Sequence, residues 1–203
     1  DCLIVWVTIN TVGNVFQAIA QICYCVGSGY HIIEEGLCGR TTVFQDELRE
    51  GRCGLDLIGV TVEMHNPIDL IIIMLGTNDC KTRYKASASV IAKGLDQVIR
   101  KARQNASRHF DLLVISPIHL GVGVGDADFD SEFDAASVAV SRNLANEYRK
   151  IALQNHAAFL NASDFAAPSV TDREHMDEKG HAALADAIYN KILALQKGLS
   201  HVI

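Results

Sequence analysis

Leu70-Ile71-Ile72-Ile73-Met74-Leu75-Gly76-Thr77-Asn78-Asp79 decides the fold. Six apolar residues in a row are too few for a buried helix and show no alternation. They read as a strand covered on both faces, which is how the central strands of a parallel sheet are built. The abrupt change to Gly-Thr-Asn-Asp marks the strand's carboxyl end. Downstream, residues 87–103 carry Val90, Ile91, Leu95, Val98 and Ile99 at amphipathic-helix spacing. Residues 112–115 form another strand, ended by Ser116-Pro117, and a Gly/Asp-rich loop spans 119–133. A helix is expected over 135–153, with Leu144, Tyr148 and Ile151 on one stripe. A short strand follows at 158–160, and a last amphipathic helix over 178–195. Upstream, Leu3-Ile4-Val5-Trp6-Val7 reads as a buried strand with Trp6 in the core, residues 15–26 as an apolar helix, and 30–33 as a short strand. Residues 55–64 are helix or strand; periodicity does not decide, and Pro67 closes the segment.

Strand and helix patterns alternate along the whole chain, which predicts an α/β sandwich around a parallel sheet. The 203 residues, 49% of them hydrophobic, supply one good core, so residues 1–203 are expected to form a single domain. With 21% charged residues and three prolines the chain has no disordered or low-complexity character. Eighteen Lys plus Arg against 24 Asp plus Glu leave a net charge of −6 with no basic patch, which argues against nucleic acid as a partner. No apolar run approaches the roughly 20 residues needed to span a bilayer, so no membrane partner is expected. The six cysteines form no CxxC pair, so no zinc site is expected; their scatter reads as reduced thiols and a cytoplasmic location. The chain opens at Asp1 with no charged region and cleavage site before it, so no signal peptide is visible.

In a parallel α/β sheet, ligands bind beyond the carboxyl ends of the strands. The polar residues there are Thr8-Ile9-Asn10-Thr11 after the first strand and Gly36-Leu37-Cys38-Gly39-Arg40-Thr41-Thr42 after the second. Gly76-Thr77-Asn78-Asp79 follows the third, and Asp172-Arg173-Glu174-His175 precedes the closing helix. The absence of a Gly-rich phosphate loop after the first strand disfavours a flavodoxin-like nucleotide binder. With Glu35 added, the second of these blocks resembles one of the SGNH (GDSL) hydrolase superfamily, in its bacterial arylesterase/acetyl-esterase branch. Met74-Leu75-Gly76-Thr77-Asn78-Asp79 is similar to that branch's third block, and Asp172-x-x-His175 with Asp177-Glu178-x-Gly180-His181 to its fifth. The likeness runs in order from about residue 30 to 195.

The resemblance implies a three-layer α/β/α fold with about five parallel strands and a cofactor-free ester hydrolase acting on short acyl esters. It assigns His175 as the base, Asp172 as its orienting partner, and the Gly39 N–H and Asn78 side-chain amide as oxyanion donors. The chemistry suits the residue types. A hydroxyl nucleophile needs a base, a carboxylate fixes the imidazole's tautomer, and a tetrahedral oxyanion needs preorganised donors. Relatives that form oligomers make a homo-oligomer an expectation too.

The first block departs from the family. Where relatives carry Gly-Asp-Ser, this chain has Val7-Thr8-Ile9, and a hydrocarbon cannot attack an ester. Three readings stay open: an inactive member that binds a carbohydrate or ester ligand, a substitute hydroxyl from Thr8 or Thr11, or a serine in the gene where this sequence reads Ile9. The substitute is disfavoured, because a shift of one residue along a strand reverses the side chain's face. Other polar residues have plainer expectations. Asp79 is read as structural, bonding local backbone; Arg40 as tying down its loop; His181 as a surface or helix-packing residue. His119 is read as a loop histidine, and the acidic loop 126–134 as facing solvent, without the pattern of a calcium loop.

Overall fold

The computed structural model describes the backbone of residues 2–7 and the whole of residues 31–198. Five strands form one sheet: β1 (Cys2–Val7), β2 (His31–Glu34), β3 (Leu70–Met74), β4 (Asp111–Ser116) and β5 (Ala158–Asn161). Their order is β2-β1-β3-β4-β5 and every pairing is parallel. The described helices are α1 (Gly54–His65), α2 (Ala88–Asn105), α3 (Ala135–Gln154) and α4 (Glu178–Gln196). The expected helix at 15–26 lies outside the described residues.

The isoleucine run of β3 explains the layering. All five of its residues are buried, and successive side chains point to opposite faces. Ile71 and Ile73 join Leu112 and Val114 beneath α1, α2 and α3. Leu70, Ile72 and Met74 join Leu113 and Ile115 beneath α4, through Leu184, Ala185, Ile188 and Ile192. Each such side chain contributes about 2 kcal/mol by leaving water. A strand with two apolar faces is stable only between two layers, which is the α/β/α sandwich.

The undecided segment 55–64 is helical. Ile58, Thr61 and Val62 are its buried face, a three-to-four spacing that matches a helix lying on the sheet. The helices start where local chemistry stops the preceding chain. Ser87 accepts a bond from the Val90 N–H, and Asp134 and Ser137 form a reciprocal capping box. Asp177 accepts from the Gly180 N–H at 2.8 Å to open α4.

The strand order reverses at β1: the chain steps outward to β2, then returns to β3 on the other side. That reversal opens a crevice at the carboxyl edge. Because all strands run the same way, the loops leaving β2, β3, β4 and β5 emerge at this one edge. Among the described residues no helix is long and apolar enough to cross a membrane.

Candidate active site

The β3 exit is built on Gly76. Its φ of +123° is a conformation that residues with a Cβ avoid. Tyr148 from α3 donates its hydroxyl to the Leu75 carbonyl at 2.9 Å, and a Cβ on Gly76 would run into that hydroxyl. The chain then turns into a short 3-10 helix, Asn78–Cys80, all of it buried. Asn78 Nδ2 donates to the Arg40 carbonyl at 3.3 Å. One amide hydrogen therefore orients the side chain and leaves the second for another acceptor. Asn78 Oδ1 has no partner among the described residues.

That bond joins the β3 exit to the loop leaving β2. Here Gly39 has a φ of +82°, at the third position of a turn closed by Arg40 N–H to the Leu37 carbonyl at 3.2 Å. Arg40 is 4% exposed and its guanidinium donates to the Glu35 carbonyl, so it ties down its own loop as expected. Burial lowers its pKa to about 10, against the attraction of Glu35. Asp79 is structural, but its partner is not local. Its carboxylate accepts from the Thr42 N–H at 2.9 and 3.1 Å and from the Thr42 hydroxyl, 37 residues away. Full burial raises its pKa to about 6, against the pull of those Thr42 bonds.

The segment before α4 carries the other candidate pair. Asp172 Oδ2 lies 2.5 Å from His175 Nδ1. Its other oxygen accepts from the Glu174 and His175 N–H groups, each at 2.9 Å, and from the Ser169 hydroxyl at 3.1 Å. Burial alone would raise the Asp172 pKa; the backbone bonds from His175 and Glu174 and the imidazole outweigh it and lower it. An ionised carboxylate only accepts, so Nδ1 carries the proton and Nε2 the lone pair. Nε2 is buried with no hydrogen-bond partner among the described residues. An oxygen of the 5%-exposed Glu174 stands 3.5 Å from it.

His181, expected at the surface or in packing, is 4% exposed on α4. Burial lowers its pKa, as does the nearby charge of His175, while Asp177 raises it. His119 is half-buried and its N–H donates to the Ser163 hydroxyl at 2.9 Å. In the acidic loop, Asp126 is two-thirds exposed and pairs with Arg173. Among the described residues no three metal-ligating side chains gather into a cluster. Residue 9 and the side chain of Trp6 lie outside the described residues.

So two pairs are brought together: Asn78 against the Gly39-Arg40 turn, and His175 against Asp172. Both stand on loops at the carboxyl edge. The pairing of Asp79 with Thr42, the Glu174 carboxylate beside Nε2 and the Tyr148 brace under Gly76 were not read from the sequence. Tyr148 alone had a signal, its place on the α3 stripe.

The GDSL-like lipase/acylhydrolase family profile matches residues 13–183. Est24, a carbohydrate acetylesterase from Sinorhizobium meliloti, is 26% identical and superposes with a TM-score of 0.85 over 96% of this chain and 99% of its own. A carbohydrate acetylesterase family member from the same organism is 24% identical, with a TM-score of 0.86 over 98% and 99%. The native M. smegmatis aryl esterase is 21% identical, with a TM-score of 0.85 over 96% and 99%. The latter two speak to the fold alone. A search of curated proteins found no match.

Proposed function

The chain belongs to the GDSL-like lipase/acylhydrolase family, and on that premise we propose that it is a serine-type carboxylic ester hydrolase scaffold for short acyl esters. Acetyl esters of small alcohols, aryl alcohols or sugars are the substrate class. Est24, the carbohydrate acetylesterase it resembles in fold at 26% identity, supports that reading. One observation carries it: His175 Nδ1 is held by Asp172 at 2.5 Å while Nε2 has no hydrogen-bond partner among the described residues, on the sheet edge that also carries Asn78.

In this reading a serine hydroxyl at residue 9 attacks the ester carbonyl and passes its proton to His175 Nε2. Asp172 holds the tautomer and stabilises the imidazolium. The oxyanion takes the remaining Asn78 amide hydrogen and the Gly39 N–H. The imidazolium protonates the departing alcohol, and water activated by the same nitrogen releases the acid. No step needs a cofactor. The partner is a small-molecule ester, not nucleic acid or membrane, and the protein assembles as a homo-oligomer.

A second reading rests on Ile9 itself. With no hydroxyl there the chain binds a carbohydrate or ester ligand and does not turn it over. Peptide mass sequencing across residues 1–30, with p-nitrophenyl acetate assays, separates the two. A serine at residue 9 predicts turnover that His175→Ala abolishes. A true isoleucine predicts none, and Ile9→Ser with Val7→Gly and Thr8→Asp then restores it. A serine-bearing chain that stays inactive, or one indifferent to His175, overturns the esterase reading.

A further inference from the structure

The backbone between acid and base is not one that arginine adopts freely. Arg173 has a φ of +60°, in the left-handed region where a Cβ crowds the following carbonyl. Asp172 precedes it and His175 follows two residues later. Relaxation of Arg173 to an ordinary φ therefore swings the carboxylate away from the imidazole.

The loop after β4 holds it in place. The Arg173 guanidinium donates through one nitrogen to the Val122 carbonyl and to Asp126 Oδ2, both at 3.0 Å. Its Cζ sits over the Phe129 ring, 4.2 Å from the centroid. The backbone is gripped as well: the Gly121 N–H donates to the Arg173 carbonyl at 2.7 Å, and the Arg173 N–H to the Ser169 carbonyl at 3.0 Å. Gly121 and Gly123 make room for this. A Cβ on Gly121 would lie 2.8 Å from the Arg173 Cβ, and one on Gly123 would run into the guanidinium. The loop is itself fixed. Val124 is fully buried, the Thr82 N–H donates to the Glu132 carbonyl at 2.8 Å, and Lys81 pairs with the Glu132 carboxylate at 2.6 Å.

We propose that Arg173 is a positioning residue: its guanidinium, seated in the 121–129 loop, holds the left-handed turn that keeps Asp172 on His175 Nδ1. This rests on the esterase reading only for the role of His175. A glycine takes a φ of +60° without crowding, so it needs the anchor less than any other residue. That gives a test in which two truncations of the same side chain part company.

Amide hydrogen exchange is measured at Glu174 and His175, whose N–H groups bond Asp172, in the native chain, Arg173→Ala and Arg173→Gly. Alanine, strained and unanchored, is expected to exchange about tenfold faster there; glycine stays within about threefold of native. Arg173→Lys, which keeps the charge toward Asp126 but not the planar fork, falls between them. In the serine-restored chain, kcat on p-nitrophenyl acetate follows the same order while KM stays put. Alanine exchanging like native overturns the proposal, and so does glycine exchanging as fast as alanine. If the serine-restored chain shows no turnover, the esterase reading fails while the exchange data still decide this inference.

Discussion

The β3 exit and the segment before α4 carry the two halves of the proposed site, and they are held by opposite means. At the β3 exit, Asn78 and Asp79 are wholly buried and their bonds run 37 or 38 residues back to the β2 loop. Before α4, the side chains of Asp172 and His175 are 40% and 22% exposed and bonded within three residues of one another. The first half is rigid because many distant groups converge on it. The second is a small local turn that stays in place only while an outside loop grips Arg173. An oxyanion site gains from rigidity, since its donors must be oriented before charge develops. A base must exchange protons with solvent and substrate, so partial exposure suits it.

That contrast can be broken from the rigid side first. In the serine-restored chain, Asn78→Ala should lower kcat by about 10²–10³, roughly 3–4 kcal/mol, with a smaller change in KM; steady-state kinetics read it. Asp79→Ala strips partners from a buried N–H and hydroxyl and should cost about 3 kcal/mol in denaturant unfolding. Asp79 also sets a pH slope. Burial holds its folded pKa above the ordinary 3.8, at about 6. Between those values the folded chain binds more protons than the unfolded one, so this contribution falls as pH rises from about 4 to about 6. Asp79→Asn should flatten that fall. Gly76→Ala, which forces a Cβ onto the Tyr148 hydroxyl at a positive φ, should cost about 2 kcal/mol in the same unfolding measurement.

The exposed side should respond least. The Asp172 pKa is lowered in the fold, so its contribution is present above the unfolded carboxylate range and lost as pH falls through the folded value. Solvent screens a group this exposed, so Asp172→Asn should change stability at neutral pH by less than about 1 kcal/mol. Its effect belongs to rate, through the lost tautomer. A stability loss at Asp172 as large as that at Asp79 would erase the distinction between the two halves.

The same distinction sets what was legible in the sequence. The isoleucine run of β3 announced a doubly covered strand because pleat and burial act on neighbouring residues. Asp172-x-x-His175 was legible for the same reason: its partners are three apart, and the family likeness gave the pair its meaning. Asp79 was read as structural, yet its partner Thr42 was invisible, because spacing carries no information about a contact made 37 residues away. Periodicity leaves residues 55–64 undecided; the sheet supplies the surface that its helical face covers. Arg173 stands in the Asp172-Arg173-Glu174-His175 block with no role assigned to it. Nothing in its identity predicts a positive φ, and the cradle that sustains it comes from another loop.

The most direct test of the site is fluorophosphonate labelling of the serine-restored chain, with the modified peptide found by mass spectrometry. The label should fall on residue 9, disappear in His175→Ala, and drop steeply in Asn78→Ala. Labelling elsewhere, or labelling at residue 9 that ignores His175, would contradict the claim that base and oxyanion donor face one nucleophile.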